Sequence, residues 1–555
     1  AGYLTAIPGL ILIASAWTDS SILRRIRQVY FGLIAFVMAC IFIVDLGLYG
    51  FWGFRLDATP IFYFFSSPKD AIASVSFWFV LLGILAMLVY AAVLYSIFYI
   101  VLIRERKPLK IPYRRQNVSF ALLLLTAALF IPIRGGFTVS TMNLSKVYYS
   151  QDQRMNHAAI NPAFSFMYSA THQNNFDKQY RFMDPKVADD LLAEMLDKPV
   201  AATDSIPQIL NTQRPNIIFI ILESFSTHLM ETMGGQPNVA VNMDKFGKEG
   251  VLFTNFYANS FRTDRGLASI ISGYPGQPST SIMKYPEKTD GLPSIPRSLK
   301  NAGYSLEYYY GGDADFTNMR SYLVSSGIEK IISETDFPLS ERQGKWGAPD
   351  HTLFQRFLKD LKEEKQQEPF FKIVQTSSSH EPFEVPFYRL DDKVLNAFAY
   401  ADSCVGDFVR QYKETPMWKN TLIVLVPDHL GAYPRPVENP LEGHTIPLIL
   451  IGGAVKEPRV VDTYASQIDI AATLLSQLGL PHDDFTFSKN IFNPSSPHFG
   501  YFTEPTLFGM VTAENQLVYN LDANTVQIDE GTEKGANLEK GKAFLQKLYD
   551  DLAKR

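Results

Sequence analysis

Cysteine is scarce in this chain of 555 residues, which has only Cys40 and Cys404. Cys40 lies in an apolar segment and Cys404 in the more polar remainder, a placement that argues against a disulfide, so the fold must be stable without one. An excess of positive charge is also missing, because 51 Lys and Arg face 56 Asp and Glu and give a net charge of −5. A nucleic-acid partner therefore has no electrostatic support. Internal repeats and low-complexity tracts are absent too, which argues against repeat architectures.

Apolar residues are crowded into the first quarter of the chain, before about Arg134. A chain of this length is longer than the chains that usually fold around a single hydrophobic core, so at least two structural units are expected. The longer apolar runs approach the ~17–25 residues that cross a bilayer. The first run starts almost at residue 1, which is Ala, and lacks a basic leader, so we expect a truncated span rather than a signal peptide. The predicted membrane helices are residues 2–17, 29–52, 76–103 and 118–133.

The short loops between these runs differ in charge. Two of them are basic, and positive charge in short loops stays in the cytoplasm. The loop between them has only Arg55 and Lys69, balanced by Asp57 and Asp70. Alternating spans then place everything after Gly135 outside, so we expect a multi-pass protein of the cytoplasmic (inner) membrane with an extracytoplasmic catalytic domain. The basic residues are Arg24, Arg25 and Arg27 in one loop, and Arg104, Arg106, Lys107, Lys110, Arg114 and Arg115 in the other.

The remainder of the chain alternates apolar, β-rich runs with amphipathic stretches from residue 216 onward. Such apolar runs are typical of strands buried on both faces, and the alternation predicts an α/β domain with a mostly parallel sheet covered by helices. The predicted strands are residues 217–222, 251–256, 305–310, 370–375, 422–426 and 447–451, and the predicted helices are 349–365, 395–412 and 465–478.

Four segments follow from these patterns. We predict transmembrane helices over residues 1–135, a linker over 136–213, a catalytic domain over 214–500, and C-terminal strands and a helix of that domain over 501–555.

Polar residues directly after two predicted strands form the first candidate site. Glu223 follows the run 217–222, and Asp428 and His429 follow the run 422–426 with one Pro between. Active sites of open α/β sheets gather at the carboxyl ends of strands. Two carboxylates and an imidazole suit a divalent cation such as Mn²⁺ or Zn²⁺, although each residue alone is explained as well by helix capping.

Thr263 is the candidate nucleophile, because it lies at the start of a predicted short helix that ends near Gly273. A helix N-terminus favours an alkoxide and the phosphate that it attacks. An ordinary N-cap is an equally open interpretation.

These motifs resemble the lipoteichoic acid synthase and phosphoglycerol transferase family of the sulfatase and alkaline phosphatase superfamily. The resemblance rests on Glu223 in Leu-Glu-Ser, Thr263 in Arg-Thr-Asp-Arg-Gly, and the Pro-Asp-His that contains Asp428 and His429. It implies that these four residues bind one divalent metal, most simply Mn²⁺, with Zn²⁺ and Mg²⁺ as alternatives. It also implies that Thr263 becomes attached to glycerol phosphate taken from a phospholipid donor in the membrane, and that the acceptor is a glycan or polyglycerol phosphate. Family members typically have five membrane helices, so one would be missing here.

His380 resembles a family histidine near the substrate phosphate, which implies that it protonates a leaving oxygen or orients the donor. A hydrogen-bonded loop histidine is the alternative. The role of His444, placed where related two-metal enzymes have a ligand, stays open.

The substrate-binding segment departs from the family pattern. The Gram-positive synthases have a Trp and an Arg where this chain has Thr317 and Met319. Asp313, Asn318 and Arg265 are therefore the candidate substrate-binding residues, and the donor head group is uncertain.

Three other functions are alternatives. A phosphoethanolamine transferase usually has several disulfides, which two cysteines do not support. A phosphodiesterase or phosphatase of the same superfamily would use water as acceptor. A binding or scaffold protein on a retired enzyme fold is argued against by the complete ligand set. A sulfatase is disfavoured because the segment around Thr263 lacks the Cys/Ser-X-Pro-X-Arg setting.

Overall fold

The computed structural model describes residues 2–18, 20–52, 55–56, 77–104, 114–137, 140–150, 152–172, 176–202, 204–363, 366–434 and 439–555. Contacts divide the chain into two compact units, Ala1–Asn174 and Asn175–Arg555. The boundaries predicted after residues 135, 213 and 500 stay predictions.

The first unit is helical, as predicted. Three segments, residues 21–50, 77–103 and 115–134, are long and apolar enough to cross a membrane, and Leu4–Ser15 is a shorter apolar helix. The helices are α1 (Gly2–Ser15), α2 (Ser21–Trp52), α3 (Phe77–Phe98, continued by a π-helical turn over Tyr99–Ile103), α4 (Arg115–Ala128), α5 (Phe130–Arg134), α6 (Gln153–Ala159) and α7 (Pro162–His172).

Two hydrogen bonds join the basic ends of these helices. Arg27 donates from Nη2 to the carbonyl of Ile103 at 3.2 Å, and Arg115 donates from Nη1 to the carbonyl of Trp17 at 3.2 Å. Each bond therefore places one basic helix start beside the end of another helix of this unit. Residues 57–76 and 105–113, which contain the rest of the loops used in the topology prediction, lie outside the described residues.

The second unit is built on an eight-stranded sheet in the order β5-β4-β6-β1-β7-β8-β2-β9. All pairings are parallel except those of β8 with β7 and β2, which confirms the predicted mostly parallel sheet. The strands are β1 (Asn216–Leu222), β2 (Val251–Phe253), β3 (Phe256–Tyr257), β4 (Ser305–Tyr310), β5 (Lys330–Ile332), β6 (Phe370–Gln375), β7 (Thr421–Pro427), β8 (Leu448–Ile451), β9 (Arg459–Val461) and β10 (Ala465–Ser466).

Strand β1 shows why this sheet is buried on both faces. Its seven residues are all buried. Because successive side chains point to opposite faces, Phe219 packs in one hydrophobic cluster while Ile218 and Ile220 pack in the other. The two clusters form the core on the two sides of the sheet.

Helices cover both faces of the sheet and extend from it. They are α8 (Pro185–Met195), α9 (Val241–Glu249), α10 (Thr263–Ser272), α11 (Pro286–Thr289), α12 (Ile295–Asn301), α13 (Met319–Ser325), α14 (Asp350–Glu363), α15 (Lys393–Tyr412), α16 (Pro440–Gly443), α17 (Ile470–Gln477) and α18 (Leu538–Lys554). A four-stranded antiparallel sheet, β11 (Gly500–Glu504), β12 (Leu507–Val511), β13 (Asn515–Asn520) and β14 (Thr525–Gly531), precedes α18.

Two predicted elements differ in detail from the structure. The run 251–256 is split into β2 and β3 by a bend at Thr254 and Asn255, after which β3 pairs with β10. The predicted helix 465–478 begins instead as β10, followed by a 3₁₀ turn whose Ser466 and Asp469 form a capping box before α17.

Candidate active site

Two neighbouring parallel strands bring the predicted carboxylates together. β1 pairs with β7 so that Leu222 lies opposite Pro427, and Glu223 and Asp428 follow directly. Glu223 is 4% exposed and Asp428 is fully buried. Ligand atoms of Glu223, Asp428 and His429 all lie within 4.8 Å of one another, a group able to hold a metal ion.

The imidazole of His429 is oriented for coordination. Its Nδ1 lies 2.9 Å from the carbonyl of Leu430, which fixes the ring when this nitrogen donates. Nε2 then faces the acids, 3.3 Å from Glu223 Oε1 and 3.6 Å from Asp428 Oδ2. A backbone hydrogen bond of this kind is the usual support of a metal-bound histidine.

Burial and mutual charge perturb all three groups. Burial and the Glu223 carboxylate raise the pKa of Asp428 to about 7. Burial by itself raises the pKa of Glu223, but the hydrogen bond and positive charge of His429 outweigh it and lower this pKa to about 2. Burial lowers the pKa of His429, but Asp428 and Glu223 outweigh it and raise this pKa to about 9. The raised pKa values of Asp428 and His429 mean that the cluster favours bound positive charge, as a proton or as a metal cation that would replace it.

The donor set fits a divalent cation. Asp428 Oδ2 is buried and makes no hydrogen bond with a described residue, a costly arrangement unless another group binds it. Carboxylate oxygens, one imidazole nitrogen and a hydroxyl are ligands that Mn²⁺, Zn²⁺ and Mg²⁺ share to different degrees.

Thr263 is the first residue of α10, as predicted, and it is not the N-cap. Arg262 holds the N-cap position with extended backbone, while the Thr263 hydroxyl donates to Glu223 Oε2 at 3.5 Å. The helix approaches the metal group closely because residue 266 is Gly: a Cβ there would lie 1.6 Å from the carbonyl oxygen of Asp428. The helix ends at Gly273, whose φ is +58°.

Ser224 joins the predicted ligands to one another and was not predicted. Its hydroxyl donates to Glu223 Oε1 at 2.7 Å and lies 3.3 Å from His429 Nε2, and its N–H donates to Asp428 Oδ1 at 2.9 Å. Its φ is +55°, a left-handed conformation that side chains rarely adopt. The only sequence signal was its position after Glu223.

A small cavity opens beside Glu223 and Thr263. His380 lines it, as expected of a residue near the substrate, and its ring packs on Trp346 with centroids 4.1 Å apart. Trp346 was not predicted, because it is carried on a turn closed by Gly344 and Gly347, far from any motif. The remaining lining residues are Asp264, Leu267, Tyr310, Phe316, Thr317, Met319, Gln375 and Ser377.

Arg265, Asp313 and Asn318 have other partners and are not among the described residues that line this cavity. Arg265 is 6% exposed and donates from Nε to the carbonyl of Gln277 at 2.8 Å. Asp313 accepts from the N–H of Asp315, and Asn318 is buried with its carbonyl accepting from Ser321. Their substrate-binding roles stay predictions.

His444 lies apart from the described metal-ligand group. Its Nδ1 is 2.9 Å from the carbonyl of Ala258, its Nε2 is 3.2 Å from Glu504 Oε1, and its ring stacks on Phe502. These contacts give this buried histidine a structural role.

The second unit is similar to known sulfatase-type domains. Residues 215–480 match the family model described as Sulfatase. A solved protein of the alkaline phosphatase superfamily from Vibrio parahaemolyticus has a TM-score of 0.59 and 26% identity, over 68% of this chain and 98% of its own.

Among relatives, the chain is similar to lipoteichoic acid synthases and phosphoglycerol transferases, which confirms the resemblance predicted from the motifs. It is 23% identical over 304 residues to lipoteichoic acid synthase 2 of Bacillus subtilis (strain 168), 49% of this chain and 46% of the relative. It is 24% identical over 320 residues to phosphoglycerol transferase I of Xanthomonas campestris pv. campestris (strain B100), 53% of this chain and 45% of the relative. The chain thus spans about half the length of these relatives. The lipoteichoic acid synthase LtaP from Listeria monocytogenes shares the fold, with a TM-score of 0.52, 19% identity, and coverage of 66% and 97% of the two chains.

Proposed function

We propose that this chain transfers a phosphoglycerol head group from a membrane phospholipid to a glycan or polyglycerol phosphate acceptor, through covalent attachment to Thr263. The observation that carries the proposal is the Thr263 hydroxyl, which lies at the positive end of α10 and bonds to Glu223 of the metal-ligand group. The names of the relatives, lipoteichoic acid synthase and phosphoglycerol transferase I, support this choice of head group.

Glu223, Thr263, Asp428 and His429 are the residues that would hold one divalent metal, Mn²⁺ in preference to Zn²⁺ or Mg²⁺. When bound, the metal supplies Lewis acidity that lowers the pKa of the threonine hydroxyl and neutralises charge on the phosphate.

The reaction has two displacements at phosphorus. In the first, Thr263 loses its hydroxyl proton to solvent, its Oγ1 forms a bond to phosphorus, the bond from phosphorus to the diacylglycerol oxygen breaks, and His380 gives that oxygen a proton. In the second, the same imidazole takes the proton of an acceptor hydroxyl, whose oxygen attacks phosphorus, and the bond from phosphorus to Thr263 Oγ1 breaks. The released threonine oxygen regains a proton from solvent. His380 suits both roles because it lines the cavity that contains Thr263, and because an imidazole can both donate and accept a proton.

The donor lipid places the reaction at a membrane surface. We propose that the apolar helices of the first unit cross the cytoplasmic membrane several times and that the catalytic domain is extracytoplasmic. Two hydrogen bonds support this topology, from Arg27 to the carbonyl of Ile103 and from Arg115 to the carbonyl of Trp17. Each joins helix ends that carry or border basic residues, as expected of spans that alternate in direction.

The direct test is the intact mass of the detergent-purified full chain after incubation with Mn²⁺ and phosphatidylglycerol. We expect an adduct with the mass of glycerol phosphate in the wild type and in Thr525→Ala, a matched change at an exposed strand residue. Thr263→Ala is expected to form none, since it lacks the attacking oxygen.

Other results of this experiment would favour one of the alternative functions or a different nucleophile. An adduct from phosphatidylethanolamine but not from phosphatidylglycerol would indicate a phosphoethanolamine transferase. Release of free glycerol phosphate without acceptor would indicate a phosphodiesterase. An adduct that persists in Thr263→Ala would refute the proposed nucleophile.

A further inference from the structure

Gln375 is the last residue of β6 and lines the cavity that contains Thr263. Its backbone lies between Tyr310 of β4 and Ile221 of β1, so the side chain belongs to the carboxyl edge of the sheet. It is 1% exposed. A polar side chain this deeply buried needs hydrogen-bond partners.

Among the described residues, one end of the Gln375 amide has a partner, because the hydroxyl of Tyr308 donates to Oε1. The other end, Nε2, is buried and has no hydrogen-bond partner among the described residues. Leaving such a donor unpaired is unfavourable, and in an active-site wall it marks a place where a ligand oxygen is expected.

The other side chains that line the cavity limit the kinds of contact that a bound head group can make. Among the described residues it has hydroxyls, carboxylates, an amide, the imidazole of His380 and the aromatic rings of Tyr310, Phe316 and Trp346, but no Lys or Arg. Since His380 is assigned to proton transfer, recognition of a head group beyond its phosphate must use hydrogen bonds and ring contacts from the other lining residues.

We propose that Gln375 selects the head group by donating from Nε2 to a hydroxyl oxygen of the phosphoglycerol unit. This inference rests on the proposed function and names the group that distinguishes glycerol from ethanolamine. A glycerol hydroxyl accepts the hydrogen bond, whereas an ammonium group has only donors and would leave Nε2 unpaired. Rejection by an unpaired buried group is a strong source of specificity.

The test compares kcat/KM for short-chain phosphatidylglycerol and phosphatidylethanolamine in full-chain variants. Gln375→Met keeps the side-chain volume and removes the donor, and Gln375→Glu replaces the donor with an acceptor. Gln527→Met, on the exposed strand β14, is the control. We expect Gln375→Met to lower kcat/KM for phosphatidylglycerol roughly 10- to 100-fold with little change for phosphatidylethanolamine. Gln375→Glu is expected to shift preference toward phosphatidylethanolamine.

Binding provides a readout that does not depend on turnover. Calorimetry on Thr263→Ala with Mn²⁺ should show weaker binding of glycerol phosphate, but not of phosphoethanolamine, when Gln375→Met is added. Equal losses for both ligands, or an unchanged preference for glycerol phosphate over phosphoethanolamine, would overturn the role of Gln375.

The mass experiment separates this inference from the proposed function. If no donor lipid forms an adduct at Thr263, the proposed function fails. If an adduct forms but the Gln375 variants keep the wild-type preference between the two lipids, only this inference fails.

Discussion

The hydroxyl of Ser224 donates a 2.7 Å hydrogen bond to Oε1 of Glu223, the residue before it. This contact needs the left-handed backbone of Ser224, which also directs its N–H to Asp428. One residue in a left-handed conformation thereby positions two carboxylates that repel each other. Strain of this kind is maintained where the surrounding structure requires it, and functional sites are where it is usually found.

Loss of the Ser224 hydroxyl should weaken metal binding. We expect Ser224→Ala and Ser224→Gly to bind Mn²⁺ about 10-fold less tightly, since residues that orient metal ligands typically contribute 10- to 100-fold. Titration calorimetry of the purified chain measures this. Ser226→Ala is the matched control, because that buried hydroxyl donates to the carbonyl of Tyr433 instead.

The Gly variant separates the hydroxyl from the backbone conformation. Ser224→Gly removes the hydroxyl while tolerating φ of +55°, so it should be more stable than Ser224→Ala and bind metal equally weakly. Normal Mn²⁺ affinity in Ser224→Gly would show that the hydroxyl has no positioning role.

Gly266 permits the close contact between α10 and the strand-end ligands. A Cβ at this position would lie 1.6 Å from the Asp428 carbonyl oxygen, so Gly266→Ala must displace the helix or Asp428. We expect a loss of stability of about 1–3 kcal/mol and a larger loss of Mn²⁺ affinity than any stability change explains. Melting temperature and calorimetry measure the two effects.

Gly247→Ala in helix α9 is the control for this substitution. A Cβ there would meet only Leu252 Cδ2 at 3.4 Å, an ordinary contact, so wild-type metal binding is expected. Wild-type affinity in Gly266→Ala would contradict the close packing described for α10.

Much of the site could be predicted because its ligands follow strands. Strands 305–310 and 370–375 were predicted with the observed bounds, and Glu223, Asp428 and His429 meet because adjacent parallel strands end at one edge. Trp346 could not be predicted in the same way, because its place beside His380 depends on a turn with no periodic pattern. Gln375 fitted the pattern of a buried strand, and what distinguishes it is an amide nitrogen that has no hydrogen-bond partner in the described part of the chain.

Removing one partner of the ion pair between Lys489 and Asp469 should strongly lower the stability of the folded protein. Nζ lies 2.8 Å from Oδ1, and the two side chains are 3% and 1% exposed. Lys489→Met leaves Asp469 buried without its cation, and we expect a loss of about 3–5 kcal/mol. Thermal unfolding of the full chain in detergent tests this.

A double variant distinguishes the pair from simple packing. Lys489→Met combined with Asp469→Asn removes the unpaired charge and should recover part of the lost stability, because an uncharged pair avoids most of the desolvation cost. Equal losses in the single and double variants would show that Lys489 acts through packing, for instance on the Phe499 ring 3.8 Å from Nζ.

Asp402 should make stability depend on pH in the acidic range. Its carboxylate accepts the N–H groups of Asn242 and Met243 at the start of α9, but burial outweighs these bonds and raises its pKa from 3.8 to about 6. The folded protein therefore binds more protons than the unfolded chain between about pH 4 and pH 6. The contribution of Asp402 to the free energy of unfolding falls as pH rises through this window, by about 2–3 kcal/mol.

Asp402→Asn keeps an acceptor oxygen and does not titrate, so the stability difference between wild type and this variant should shrink or reverse from pH 4 to pH 7. Melting temperatures of both proteins across this range measure it, and a constant difference would mean that Asp402 titrates alike in the folded and unfolded states.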